Sequence, residues 1–222
     1  MIRLCDHCGS LSGCDHCAGP VPHAMGRKIV DMEARRNRAG ELAVYKIPSG
    51  DGGGTVEVAG INDRYHPEQC AHLAALIRAG DHDKAEDEAA RYLEKYTDGV
   101  RNWLSGGPAS VEFFLRDCAF NRGPIGAAVI LQMALGFAGA GVDGKVGPAT
   151  RGRILDALGE DATGAELLVR LLLARQSYEY EVARRNTKNK FWAGLTNRWV
   201  MAYQWAQRLA CAVGEDSWER PV

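Results

Sequence analysis

Along most of the chain, apolar residues recur every three or four positions, the period of a helix buried along one side. The first such stretch runs through Met25, Ile29 and Val30 to Glu33. Gly40 marks its expected end, and Arg35, Arg36 and Arg38 suit the electronegative last turns of a helix. After Pro67 nearly everything reads as helix, with expected spans 67–79, 82–104, 109–120, 124–137, 148–158, 164–186 and 196–212. Glycine-rich breaks at 106–107, 136–147 and 159–164 separate several of them. Strand character is confined to Leu42–Ile47 and Thr55–Ala59, joined by the turn Pro48-Ser49-Gly50-Asp51-Gly52-Gly53-Gly54. The pattern predicts an α+β protein, mostly α, with a helical domain over 24–222 and one small β-hairpin near its start.

Residues 1–23 stand apart from this pattern. They hold two copies of Cys-Asp-His-Cys, with Pro20 and Pro22 as a short stiff hinge. Cys5, Cys8, Cys14 and Cys17 form two chelating pairs, and four thiolates are the tetrahedral set that a structural Zn²⁺ prefers. Such a shell is closed, so the expected metal is structural and not catalytic; the alternative is a plain oxidisable tail. Cys70, Cys118 and Cys211 lie in helical text and are expected to be small core residues.

Composition narrows the function classes. With 46% hydrophobic and 25% charged residues the chain suits an ordinary globular protein, and a net charge of −1 gives no general attraction to nucleic acid or anionic membrane. The longest apolar run, Ile125–Ala140, is interrupted by Gln132 and glycines, so no membrane span is expected. The first residues lack the charged-then-apolar layout of a signal peptide, which predicts synthesis in the cytoplasm. An extracytoplasmic substrate is then reached through another machine or through lysis.

The candidate chemistry lies between the first helix and the hairpin. Met25, Ile29 and Glu33 are spaced at i, i+4 and i+8, which places a carboxyl group at the end of an apolar stripe. Desolvation there raises a carboxyl pKa, as a general acid near neutrality requires; the plain alternative is a Glu paired with a neighbouring Arg. Asp51 sits among four glycines at the hairpin tip, either brought close to a ligand or serving only as a turn residue. Strand alternation puts Thr55 and Glu57 on one face, which makes Glu57 a rival to Asp51.

A helix ending in an acid, followed by a hairpin with an acid and a Thr, resembles the active-site layout of the lysozyme superfamily. The 18-residue separation of Glu33 and Asp51, with Gly50-Asp51-Gly52-Gly53-Gly54-Thr55, resembles family-46 chitosanases. The loop is one residue short of theirs, and Gly53 stands where they carry Arg. Tyr45-Lys46 and Thr55 are similar in order to phage-type lysozymes. Further along, Phe113-Phe114-Leu115-Arg116-Asp117, Asn121-Arg122-Gly123-Pro124, Val142-Asp143-Gly144-Lys145-Val146-Gly147-Pro148-Ala149-Thr150 and Phe191–Trp199 resemble family-108 N-acetylmuramidases. The 142–150 stretch is also similar to small peptidoglycan-binding repeats, although a tight turn at Asp143-Gly144 and a helix start at Gly147-Pro148 explain it equally.

These resemblances imply cleavage of a β-1,4-linked amino-sugar polymer, with peptidoglycan strands expected before chitosan. Glu33 would protonate the leaving oxygen, Asp51 or Glu57 would act as base, and Thr55 would hold the attacking water. The implied course is inversion, with carboxyls ~6.5–9.5 Å apart. Tyr45, Asp63 and Arg122 would bind substrate, and Trp192, Trp199 and Trp205 are expected in the core or at a groove edge. A cell-wall hydrolase without a signal layout suggests a phage lysin or a secreted antibacterial effector, with a secretion machine or an immunity protein as partner. The remaining alternative is a non-catalytic wall-binding module.

Overall fold

The computed structural model describes residues 23–49, 54–185 and 187–216. Cys5, Cys8, Cys14, Cys17 and Asp51 fall outside these residues. The chain divides into two compact units, the first ending at Lys95 and the second beginning at Tyr96. Mostly helical with a small antiparallel sheet, it has the expected α+β character. Among the described residues, no helix is long and apolar enough to cross a membrane.

The first unit opens with α1 (Ala24–Glu33) and then builds a sheet of three strands, β1 (Tyr45–Lys46), β2 (Val56–Val58) and β3 (Ile61–Asn62). All pairings are antiparallel, with Tyr45 opposite Glu57 and Glu57 opposite Asn62. The third strand adds to the single hairpin expected from sequence. It forms because Ala59 and Gly60, both at positive φ, turn the chain back after only three residues. Val58 and Ile61 face the core, while α2 (Pro67–Arg78) covers β2 and β3. α3 (His82–Tyr96) completes the unit.

Contrary to the expected end at Gly40, α1 stops at Glu33, where Ala34 turns extended with ψ 129°. The three arginines therefore lie outside the helix. Asn37 diverts the chain: its side-chain oxygen accepts from the amides of Ala39 (2.9 Å) and Glu41 (3.0 Å), while Gly40 takes φ 84°. Such a side-chain turn competes with helix continuation. Arg36 then bridges to Leu42, and its guanidinium holds Glu86 (2.8 Å), Asp31 (2.9 Å) and the Gly40 carbonyl (3.0 Å).

In the second unit α4 (Gly99–Leu104) precedes a long α5 (Ala109–Ala134), then α6 (Pro148–Leu158), α7 (Ala165–Glu181) and α8 (Trp192–Asp216). α5 packs against α7 and α8, burying Phe113, Phe114, Leu171, Trp199 and Trp205. The expected 82–104 helix is broken at Thr97-Asp98, where buried Arg116 donates to Thr97 Oγ1 (3.1 Å) and Asp98 Oδ1 (3.0 Å). Two expected helices around 121–123 form one element with a single kink, Gly123 at φ 70° and ψ 166°, followed by Pro124. Cys70 and Cys118 are buried as expected; Cys211 is exposed, which corrects its placement in the core.

Candidate functional site

The first unit carries most of the candidate residues, and α1 sets their position. Its buried stripe is Gly26, Ile29 and Val30, and Glu33 extends that stripe by one turn. The helix lies close to α3 because Gly26 has no side chain: a Cβ there would stand 2.1 Å from the Ala90 carbonyl oxygen. The Gly26 amide donates to Glu94 Oε2 at 3.2 Å.

Glu57 lies at the middle of the sheet. Val58 turns inward, so the pleat directs Glu57 to the opposite face, beside Tyr45 and Asn62 of the flanking strands. The guanidinium of Arg35 covers the Tyr45 ring at 5.1 Å from its centroid. Burial and then the nearby Glu33 carboxylate push the Glu57 carboxyl above its ordinary value, while Arg35 pulls it down. Glu33, Glu57, Arg35 and Tyr45 thus form one electrostatic group. Glu57 therefore keeps its proton to a higher pH than an isolated carboxyl does.

Thr55 and Asp63 meet at the end of the sheet. Asp63 accepts from the Thr55 amide (2.8 Å), the Thr55 hydroxyl and the Val56 amide (3.3 Å), and these bonds hold its carboxyl below the usual range. Gly54 is required at this junction: it takes φ 103°, and a Cβ would fall 2.0 Å from Asp63 Oδ1. Asp63 therefore anchors the arm of the sheet that begins at Thr55.

Arg122 belongs to the second unit, where its Nε donates to Glu179 Oε1 at 2.6 Å. The 142–150 stretch there is the tight turn and helix start anticipated from its residues. Gln132, buried on α5, donates to Asp143 Oδ1 (2.7 Å) and the Lys145 carbonyl (3.0 Å) and accepts from the Gly144 amide (2.8 Å). Gly144 sits at φ 72°, with Ile125 2.8 Å from where a Cβ would be. An open hollow of about 430 Å³ lies between the turns after α4 and α6, lined by Leu104, Ser105, Pro108, Leu155, Glu160 and Asp161.

Residues 126–200 match the family described as Predicted Peptidoglycan domain. The match covers about a third of the chain, from the distal half of α5 into α8, and ties this stretch to peptidoglycan. It includes the Gln132-braced turn and Glu179. No curated protein and no solved structure matches the chain.

Sequence reasoning missed several residues that organise these regions. Gly26 and Gln132 are ordinary in their local text, and only the partners reached across the fold give them a task. Arg116, Arg175 and Glu179 had a signal: charged residues at positions that a helical period assigns to the core.

Proposed function

We propose that the chain is a peptidoglycan hydrolase of muramidase type, cutting β-1,4 glycosidic bonds by general acid–base catalysis. The observation that carries this reading is the coupling of Glu33 at the end of α1 with Glu57 on the open face of the sheet. The match of residues 126–200 supplies the polymer. Glu33 donates the proton to the leaving glycosidic oxygen, as the lysozyme-like arrangement implies. Glu57, beside it on the open face of the sheet, takes a proton from the attacking water. Asp51 is the alternative base, and Thr55, held by Asp63, orients the water. Tyr45 with Arg35 stacked on it offers a flat face to a sugar ring.

A second reading has one observation in its favour: the stretch tied to peptidoglycan lies wholly within the second unit and contains neither Glu33 nor Glu57. On that reading the chain binds the wall without cutting it. Incubation of wild type and Glu33→Gln with purified sacculi and with chitosan separates the readings. Soluble glycan released from sacculi by wild type alone supports the hydrolase, and release from chitosan alone makes it a chitosanase. Co-sedimentation with sacculi and no release by either protein supports the binding module.

A further inference from the structure

Among the described residues, the charges around Glu179 do not balance. Glu179 is fully buried on α7, yet three guanidiniums converge on it: Arg122 Nε at 2.6 Å and Arg175 Nη1 at 3.1 Å from Oε1, and Arg185 Nη1 at 3.0 Å from Oε2. The adjoining Asp117–Arg198 pair is neutral as a unit. Cys118 borders the same group, but burial holds its thiol up to about 12, so it supplies no negative charge at neutral pH. Guanidiniums do not shed their protons in compensation. Among the described residues the cluster therefore carries an excess of two positive charges, the three arginines against Glu179.

The excess charge comes with free donors. Arg122 Nη2 and Arg175 Nε are buried and have no hydrogen-bond partner among the described residues, and Arg175 Nη1, although 3.1 Å from Glu179 Oε1, is not aligned to donate to it. Arg175 is 1% exposed, so bulk water does not satisfy it. Both guanidiniums lie beside the same oxygen of Glu179, and burial first, then the like charge of Arg175, lowers the proton affinity of Arg122. Two such forks with unused N–H groups are the donor set that a carboxylate or halide accepts.

We propose that Arg122 and Arg175, beside Glu179, form a binding site for a small monoanion, a carboxylate or a halide. Arg122 is the edge of the site, with 14% of its side chain exposed at the Gly123 kink, and Arg175 is its floor. Arg175 and Glu179 fall within the stretch tied to peptidoglycan, whose peptide stems end in free carboxylates. The anion therefore has two sources, a stem carboxylate or a free ion. This site is independent of the hydrolase reading.

Chloride NMR line broadening on the full chain tests it. The wild type should broaden the chloride signal in excess of a protein-free control, and acetate should reverse the excess. Arg175→Met and the milder Arg122→Gln, both checked for native circular dichroism, should lose most of it. Soluble muropeptides with free stem carboxylates should reverse the broadening at lower concentration than acetate if the stem is the ligand. Reversal by acetate alone assigns the site to a free ion. Absence of excess broadening in the wild type, or equal broadening in a folded Arg122→Gln variant, overturns the proposal.

Discussion

Replacing Gly26 with alanine sets two opposing effects against each other inside one helix. Alanine is the better helix former by up to ~1 kcal/mol. Its Cβ, however, would stand 2.1 Å from the Ala90 carbonyl oxygen, 2.9 Å from that carbonyl carbon and 3.2 Å from the Glu94 amide nitrogen, all backbone atoms that no rotamer change can move. Carbon and carbonyl oxygen ordinarily approach to ~3.3 Å, so α1 must retreat from α3 by about 1 Å. Overpacking of this sort costs about 1–3 kcal/mol. The retreat also stretches the Gly26–Glu94 hydrogen bond, already 3.2 Å long, which adds roughly 1 kcal/mol. The clash wins, and the net loss should be about 1–3 kcal/mol. With a urea slope of ~1–3 kcal/mol per molar, the unfolding midpoint should fall by about 1 M. Gly152→Ala on α6 is the matched control, because a Cβ there meets nothing within 4 Å. It should raise the midpoint slightly. Equal shifts for the two variants, or a Gly26→Ala chain as stable as wild type, would refute the close packing of α1 on α3 and with it the placement of Glu33.

Three further outcomes follow from the same geometry. Glu57 is held above its ordinary value of 4.5, so the folded chain binds that proton more tightly than the unfolded one, and stability falls as pH rises from there through the raised value. Glu57→Gln lacks this loss: urea titrations should find it more stable than wild type at pH 7, with the gap closing below about pH 4. Glu179 is the reverse case, because burial raises its carboxyl but its arginines, Arg122 foremost, overcome that and hold it below 4.5. Its contribution is present at neutral pH and lost as pH falls through the depressed value. Glu179→Gln should therefore cost about 3–5 kcal/mol at pH 7, read from the urea midpoint, because it leaves three guanidiniums uncompensated. For the amino-terminal cysteines, metal analysis should find one zinc per chain, lost in Cys5→Ser, with the circular dichroism of the helices unchanged.

The sequence disclosed helices and acids more readily than the contacts between them. The spacing of Ile29 and Glu33 announced a carboxyl at the end of an apolar stripe, because a helical period is a local property. The end of α1 was misplaced because Ala34 leaves the helix and the segment after it is held by the Asn37 side-chain turn and by Arg36 on Glu86, contacts that the helical period does not encode. Glu57 was visible only as alternation with Thr55; its coupling to Glu33 depends on how α1 meets the sheet, which the order of residues does not encode locally. Gly144 and Pro148 were readable because turn chemistry is local. Gln132, which braces that turn from 12 residues away, was not.

Cleavage of glycosidic bonds in peptidoglycan is the proposed task of Glu33. It is tested most directly by borohydride reduction and mass spectrometry of sacculi digested with wild type and with Glu33→Gln, with retention on sacculi measured for both. Wild type should yield fragments ending in reduced N-acetylmuramic acid and the variant none, with equal retention of the two. Reduced muramic ends produced equally by a Glu33→Gln chain, or produced by neither protein, would contradict it.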